Sequence, residues 1–507
     1  MAAPLYTTQS GRLWHAGRIL VATVGLPARG KTYLAHAIMR YIAWLGVKCK
    51  VFNLASVRRE MTGEMRGKLD GHLGAGSNDP RAAVLRAEVQ EEAERQIEAF
   101  FEGGGQVAIY DASNSNSKSR EEIRQRFMLL QVQIMFIECM CDDQAMVNRN
   151  IRFIYQFSPD YAGWVWEDVQ RNFEARILQN ELCYEPIENA TFPHIQLLNF
   201  GERIVVNNNA GYLQNRLVFF LMNVHNRERK IYFARAGEAL IEHSYKADAE
   251  LSSLGLDYAN ALATFVSNLH EHTLDMTEEK AHISQRHTVS WLHGVKKQSL
   301  EHEEKEEKRG LEVWCSTRKR SVLTAEPFRK LGYKVLEHTR LAEMNPGVVD
   351  GLSQAEILHR FPGSVEQREK DPYSFRFPRA ESYHDLAIRL EPIIFELERT
   401  RDDMLIIGQS SVLRCLIAYL QGNKPSQIPF IQVREGDLVE IQPQPFGVSS
   451  RVFSFWDPKK KRVERDIEFA TRTAFAMARE ESSGKDVDID QVLKDVKEFA
   501  LRSGPAA

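Results

Sequence analysis

Apolar residues fall along this chain in short unbroken runs, separated by longer stretches in which they recur with helical spacing. Arg18 to Val24 (RILVATV), Cys49 to Leu54 (CKVFNL), Val107 to Tyr110 and Gln133 to Glu138 are the runs of the first half. Such runs predict strands buried on both faces. Between them, YLAHAIMRYIAWLG and the segment from about Pro80 to Phe101 predict helices, the second closed by Gly103 to Gly105. Strands alternating with helices predict a parallel α/β sheet. After about residue 225 the pattern restarts. Lys230 to Phe233, Glu312 to Trp314 and Met404 to Ile407 predict strands, and Leu254 to Leu269 an amphipathic helix. The chain is therefore expected to fold as two α/β domains, at 1–228 and 229–456. A segment at about 270–310 ends in KKQSLEHEEKEEKRG, which reads as solvated helix or disordered loop. The stretch 457–507 is also charged and reads as a partly helical tail. No internal repeat is present.

Composition narrows the function classes. A length of 507 residues suits two domains. The net charge of −3 lacks the basic footprint of a nucleic-acid binder. The six cysteines are scattered, with only Cys139 and Cys141 close together, which is poor zinc spacing. They read as buried, reduced thiols of a cytosolic protein. No signal peptide is evident at the N-terminus. No apolar run approaches the roughly 20 residues that span a membrane. The expectation is a soluble, cytoplasmic protein with neither nucleic-acid nor membrane partners.

The first strand runs into Gly25-Leu26-Pro27-Ala28-Arg29-Gly30-Lys31-Thr32, which fits the phosphate-loop pattern G-x-x-x-x-G-K-[ST] at every defined position. Gly25 and Gly30 let backbone N–H groups turn inward around phosphates. Lys31 reaches the terminal phosphates, and the Thr32 hydroxyl completes a magnesium shell. The helix that follows points its positive end at the anion. ATP with Mg2+ is the expected cofactor pair. Asp111 ends the strand VAIYD, where a carboxylate can hold magnesium or accept a proton from an acceptor hydroxyl. Asp-Ala-Ser-Asn is equally good turn chemistry. Arg58 and Arg59 follow the second strand. They read as solvated surface or, beside a phosphate loop, as forks for a phosphorylated acceptor.

GLPARGKTY, KVFNL with VRRE after it, YDASN, Asn150 to Arg152 with Ser158 to Tyr161, and FFLMNVH (Phe219 to His225) resemble the kinase half of the 6-phosphofructo-2-kinase/fructose-2,6-bisphosphatase family. RAGE (235–238), ESY (381–383), RLEPIIFELER and VLRC (412–415) resemble its histidine-phosphatase half, a phosphoglycerate-mutase-like α/β domain. The resemblance covers roughly residues 15–450. It implies phosphorylation of fructose 6-phosphate at O2 by ATP, giving fructose 2,6-bisphosphate, and often a homodimer formed through the kinase half. By matched position, Gly25 to Tyr33 and Asn150 would hold ATP. Lys31 and Asp111 would be catalytic, with Thr32 and Asp111 on magnesium. Arg58, Arg59, Arg86, Ser113 and Arg176 would hold the sugar phosphate, and Cys141 falls near the site. Three positions depart from the family. Tyr155 stands where the family has a lysine, Asn180 where it has a substrate-binding tyrosine, and Ser119 where it has an arginine that neighbouring Arg120 could replace.

The second half departs further. The family's R-H-G-E is Arg235-Ala236-Gly237-Glu238 here. Alanine offers no lone pair to phosphorus, so covalent catalysis cannot proceed at that position. The second family histidine aligns with Gln409, and a family asparagine with Glu242. Arg235, Glu343 (the family's general acid), Tyr383 and Arg414 are kept, so a residual anion pocket or a purely structural remnant is expected. His243 is a poor substitute nucleophile. The expectation is an active kinase with a silent bisphosphatase. The alternatives are a non-catalytic ATP-binding regulator, or a kinase for another small acceptor.

Overall fold

The computed structural model describes residues 17–62, 80–188, 192–240, 248–288, 310–457 and 467–468. Glu242, His243, the charged insert beyond residue 288 and nearly all of the charged tail lie outside the described residues.

The first half contains strands β1 (Arg18–Val24), β2 (Cys49–Asn53), β3 (Val107–Asp111), β4 (Val132–Met140), β5 (His194–Leu198) and β6 (Arg203–Asn207). Its helices are α1 (Lys31–Trp44), α2 (Leu54–Thr62), α3 (Pro80–Glu102), α4 (Ser117–Leu129), α5 (Gln144–Phe157), α6 (Trp166–Glu181) and α7 (Tyr212–Leu221). The strands form one sheet in the order β2-β3-β1-β4-β5-β6. β1 lies between β3 and β4, parallel to both, and is buried after Arg18. A strand covered on both faces has no polar side to show, which is why RILVATV does not alternate. The carboxyl ends of β1 and β3 lie side by side, and a crevice there is where open α/β sheets bind ligands. Gly25 and Asp111 stand at those two ends.

The sheet is not wholly parallel. β6 runs antiparallel to β5 at the edge. With Val205 and Val206 exposed, RIVVN lacks the apolar run of a central strand, and the sequence pattern did not announce it.

The second half contains β7 (Ile231–Arg235), α8 (Ser253–Thr288), β8 (Leu311–Ser316), α9 (Lys319–Lys330), β9 (Lys334–His338), α10 (Gln354–Arg360) and α11 (Pro362–Lys370). α12 (Tyr383–Arg399), β10 (Asp403–Gly408), α13 (Ser410–Gln421), β11 (Asp437–Gln444), β12 (Gly447–Ser454) and β13 (Ile467–Glu468) follow. The sheet order is β13-β12-β11-β7-β10-β8-β9. β7, β10, β8 and β9 are parallel, whereas β11, β12 and β13 add an antiparallel wing. Helix α8 runs to Thr288 rather than ending near Leu269. Its last turns read TEEKAHISQRHT, a polar stretch without an apolar stripe to mark it as helix.

One apolar core crosses from the first domain into the second. Trp44 of α1 meets Tyr419 of α13 edge-on, with centroids 5.8 Å apart. Tyr41 stacks on Phe220 at 4.4 Å and tilts against Phe395 of α12 at 5.5 Å. Each buried aromatic of this kind stabilises the junction by about 1.5–3 kcal/mol. Polar contacts fix its register: the Tyr41 hydroxyl donates to Glu391 at 3.0 Å, and Arg216 bonds the same carboxylate.

Candidate active site

The loop after β1 is shaped by its glycines. Gly25 has φ 136°, and a Cβ there would stand 2.4 Å from the Cys139 carbonyl oxygen on β4. Gly30 has φ 73°, and a Cβ there would strike the Phe200 ring. Between them Ala28 also takes a positive φ of 58°. The loop curls around Lys31, whose Nζ donates to the carbonyls of Gly25 at 2.8 Å and Leu26 at 2.6 Å. Burial pushes the Lys31 ammonium down to about 8, against the pull of Cys139 and Asp111. A cleft opens beside the loop. Residues 28–33, Asn150, Phe153 and Ile154 line it, together with Asn226 of the linker and Pro445 of the β11–β12 turn. Asn150 Nδ2 donates to the Ala28 carbonyl at 2.9 Å.

Asp111 is buried at the end of β3. Asn53 Nδ2 donates to its Oδ2 at 2.5 Å, and the Thr32 hydroxyl lies near enough to favour its charged form. Burial raises the Asp111 pKa, opposed by Thr32, Asn53 and Lys31. Thr23 fixes the crossing to the next loop, its hydroxyl donating to Ala112 O at 2.8 Å and accepting from Ala112 N at 3.1 Å. The two candidate magnesium ligands, Thr32 and Asp111, are thus in contact. Both offer hard oxygen donors, and magnesium is usually held by one or two such groups plus substrate phosphates, so the pair fits it. Among the described residues no larger cluster of metal-ligating side chains exists.

The candidate acceptor arginines converge on one turn. Arg58 Nη2 donates to Asp160 Oδ1 at 2.6 Å and Arg59 Nη1 to Asp160 Oδ2 at 3.2 Å. Arg176 Nη1 donates to the neighbouring Tyr161 hydroxyl at 2.8 Å. Ser113 is tied to the phosphate loop, its carbonyl accepting from Gly25 N at 3.0 Å. Arg86 is half-buried on α3.

In the second domain β7 and β10 run parallel with Arg235 opposite Gly408, so Ala236 and Gln409 follow at adjacent strand ends. The Ala236 N–H donates to the Gly408 carbonyl at 3.0 Å, and the Gly237 N–H to the Thr324 hydroxyl at 3.0 Å. The Arg235 Nε is buried without a partner. Burial lowers the Arg320 pKa, with Glu343 and Glu435 opposing and Arg235 adding to the effect. Glu435 sits in the fields of both arginines, its own pKa raised by burial. Arg414 donates to Ile431 O at 2.7 Å and to the Tyr383 hydroxyl at 3.0 Å. Arg235, Arg320 and Glu435 thus lie within electrostatic reach of one another, and neither position 236 nor position 409 carries an imidazole.

The sequence profile of the 6-phosphofructo-2-kinase family matches residues 6–228, and that of the histidine phosphatase superfamily (branch 1) matches residues 296–454. A Saccharomyces cerevisiae protein, YLR345W, is 36% identical over 447 residues, covering 87% of this chain and 84% of that one. A Caenorhabditis elegans 6-phosphofructo-2-kinase/fructose-2,6-bisphosphatase is 32% identical over 451 residues, covering 86% and 88%. The chain belongs to the 6-phosphofructo-2-kinase/fructose-2,6-bisphosphatase family. A Saccharomyces cerevisiae fructose-2,6-bisphosphatase is also 31% identical over 437 residues, covering 85% of this chain and 87% of that one.

Against that family the three departures have local explanations. The Tyr155 hydroxyl donates to Trp164 O at 3.1 Å, and its ring lies 5.6 Å from that of Trp166, in an aromatic cluster that also holds Ala28 and Cys141. Asn180 is buried, its Nδ2 donating to Arg176 O at 2.7 Å within α6. Ser119 serves the start of α4, where Asn116 caps its N–H at 2.8 Å. Arg120 is buried and donates to Asn114 O at 3.1 Å, next in the chain to Ser113. Sequence reasoning did not single out Asn53, Arg320, Thr324, Asn226, Pro445 or Glu435. Arg320 lies in an R-K-R run whose members only the fold can tell apart.

Proposed function

We propose that this protein is an ATP-dependent 6-phosphofructo-2-kinase whose second domain does not hydrolyse the product. The observation that carries the reading is the phosphate loop closed around Lys31, with Thr32 in contact with Asp111. Lys31 neutralises charge on the transferring phosphoryl group. Asp111, buried at the end of β3, takes the proton as the O2–H bond of fructose 6-phosphate breaks. The new P–O2 bond forms as the bond to the ADP leaving oxygen breaks. Magnesium, held by Thr32 and Asp111 with the phosphates, would offset the charge on them. Arg59 and Arg176, around the Asp160–Tyr161 turn, supply cations for the 6-phosphate. Edge strand β6, with Val205 and Val206 exposed, suits a homodimer through this half.

The test is direct. Purified protein is incubated with Mg·ATP and fructose 6-phosphate, and fructose 2,6-bisphosphate is measured. Product that depends on Asp111 and Lys31 supports the reading. The buried, helix-bound Asn180 favours a second reading, in which the acceptor differs or turnover is lost. ATP binding without fructose 2,6-bisphosphate would select it, and a panel of sugar phosphates would separate its two forms.

A further inference from the structure

The nucleotide cleft is not built by the first domain alone. Asn226, in the linker, donates from Nδ2 to Asn150 Oδ1 at 2.5 Å, and Asn150 in turn donates to the Ala28 carbonyl at 2.9 Å. Ala28 is the residue of the phosphate loop held at φ 58°, a conformation that an L-residue keeps only when its surroundings impose it. The same linker is bolted to the second domain. His225 accepts the Arg227 N–H at Nδ1, and its Nε2 lies 2.6 Å from both Thr400 O and Arg229 Nη1. Arg229 Nη2 donates to Glu398 Oε2 at 3.2 Å.

Glu398 lies near the end of α12 and is wholly buried. Its carboxylate also accepts from the Tyr419 hydroxyl at 2.7 Å and faces Arg40 Nη2 at 3.5 Å. Arg40 belongs to α1, the helix that opens with Lys31 and Thr32. One carboxylate of the second domain therefore holds both the helix behind the phosphate loop and the linker in front of it. Two buried arginines around one buried glutamate are costly to desolvate, and such a group is weak evidence for stability by itself. A role in fixing geometry accounts for it better.

We propose that the second domain clamps the nucleotide pocket of the first, with Glu398 and Asn226 as positioning residues. This rests on the nucleotide-binding reading above. It gives the domain without a nucleophile a task in the kinase reaction, since the linker wall of the cleft stays in place only while α12 holds it.

The experiment uses the full chain. Mg·ATP affinity is measured by calorimetry for the wild type, Asn226→Ala and Glu398→Gln. KM for each substrate and kcat are then taken with fructose 6-phosphate. Loss of one buried hydrogen bond from the clamp weakens Mg·ATP binding by about tenfold. KM for ATP rises alike, while KM for fructose 6-phosphate stays within about twofold. A merely structural role would lower the melting temperature and the active fraction, and hence kcat, with both KM values unchanged. Glu398→Gln risks misfolding because it leaves two arginines buried. Asn226→Ala, in a half-buried linker position, carries the test alone if so. Wild-type affinity in Asn226→Ala overturns the clamp. A wild type that does not bind Mg·ATP sinks the nucleotide reading itself and the clamp with it.

Discussion

Raising the pH tests the phosphate-binding lysine without touching the chain. Burial holds the Lys31 ammonium at about 8 in the free protein, against a model-peptide value near 10.4. At pH 7 about nine-tenths of the lysines carry a proton, and at pH 9 about one-tenth. Bound triphosphate would keep that proton on, because its charge offsets the burial. Mg·ATP affinity is then level below pH 8 and falls above it. From pH 7 to pH 9 the loss is about tenfold, or about 1.4 kcal/mol. Terminal phosphate has its second pKa near 6, so its own charge is constant over this range. The folding of the free protein responds with the opposite sign. A base whose folded pKa is depressed gives up its proton first in the native state, so the unfolded chain binds more protons between about 8 and 10.4. Over that window Lys31 makes the apo protein more stable as pH rises. Calorimetry at pH 7.0, 8.0 and 9.0, with Lys31→Met as the flat control, reads the binding term. Affinity that does not change over this range, or the same pH slope in Lys31→Met, refutes the argument.

Other perturbations reach different parts of the molecule. Gly25→Ala places a Cβ at φ 136°, 2.4 Å from the Cys139 carbonyl of a fully paired strand, and should cost about 2–4 kcal/mol in urea unfolding along with Mg·ATP binding. Tyr155→Lys restores the family cation and should raise kinase turnover by about tenfold or more; an unchanged kcat would show that this position does not limit the reaction. The wild type should release no phosphate from O2 of fructose 2,6-bisphosphate and form no acid-labile phosphohistidine, since losing a nucleophile typically removes about six orders of magnitude in rate; appreciable release by protein freed of contaminating phosphatases would contradict this. Burial pushes His225 down to about 3, so its contribution to stability is complete above about pH 6.5 and is lost as pH falls toward 3. Urea unfolding at pH 6.5 and 5 should differ by about 2 kcal/mol from this group, and His225→Asn should reduce that difference.

What the sequence disclosed follows from burial. β1, its loop and α1 were legible because a strand covered on both faces must be apolar throughout, and because wrapping a phosphate restricts every position of the loop. β6 and the β11–β12 hairpin were not. The first is an exposed edge, and the second carries Pro443 and Pro445, which argue against a strand unless it lies where its N–H groups are spare. Asn226 sits in a polar linker where nothing local distinguishes it, and its partner Asn150 is 76 positions away.

The two strand-end sites differ in how much they can lose. Phosphoryl transfer to a hydroxyl asks the protein for position and charge, with no covalent bond to the protein. On the proposed reading Lys31, Thr32 and Asp111 meet that demand together, and a change at Tyr155, Asn180 or Ser119 would grade the rate rather than abolish it. Hydrolysis through a phosphohistidine asks for a particular lone pair, and at Ala236 none exists. Arg235 and Arg320 near that position share their field with Glu435. A carboxylate there competes with any phosphate that enters. On the proposed reading, one strand-end site tolerates substitution, whereas the other lacks the side chain that its reaction needs. Under the proposed clamp, the second domain serves the first through Glu398 and the linker it holds.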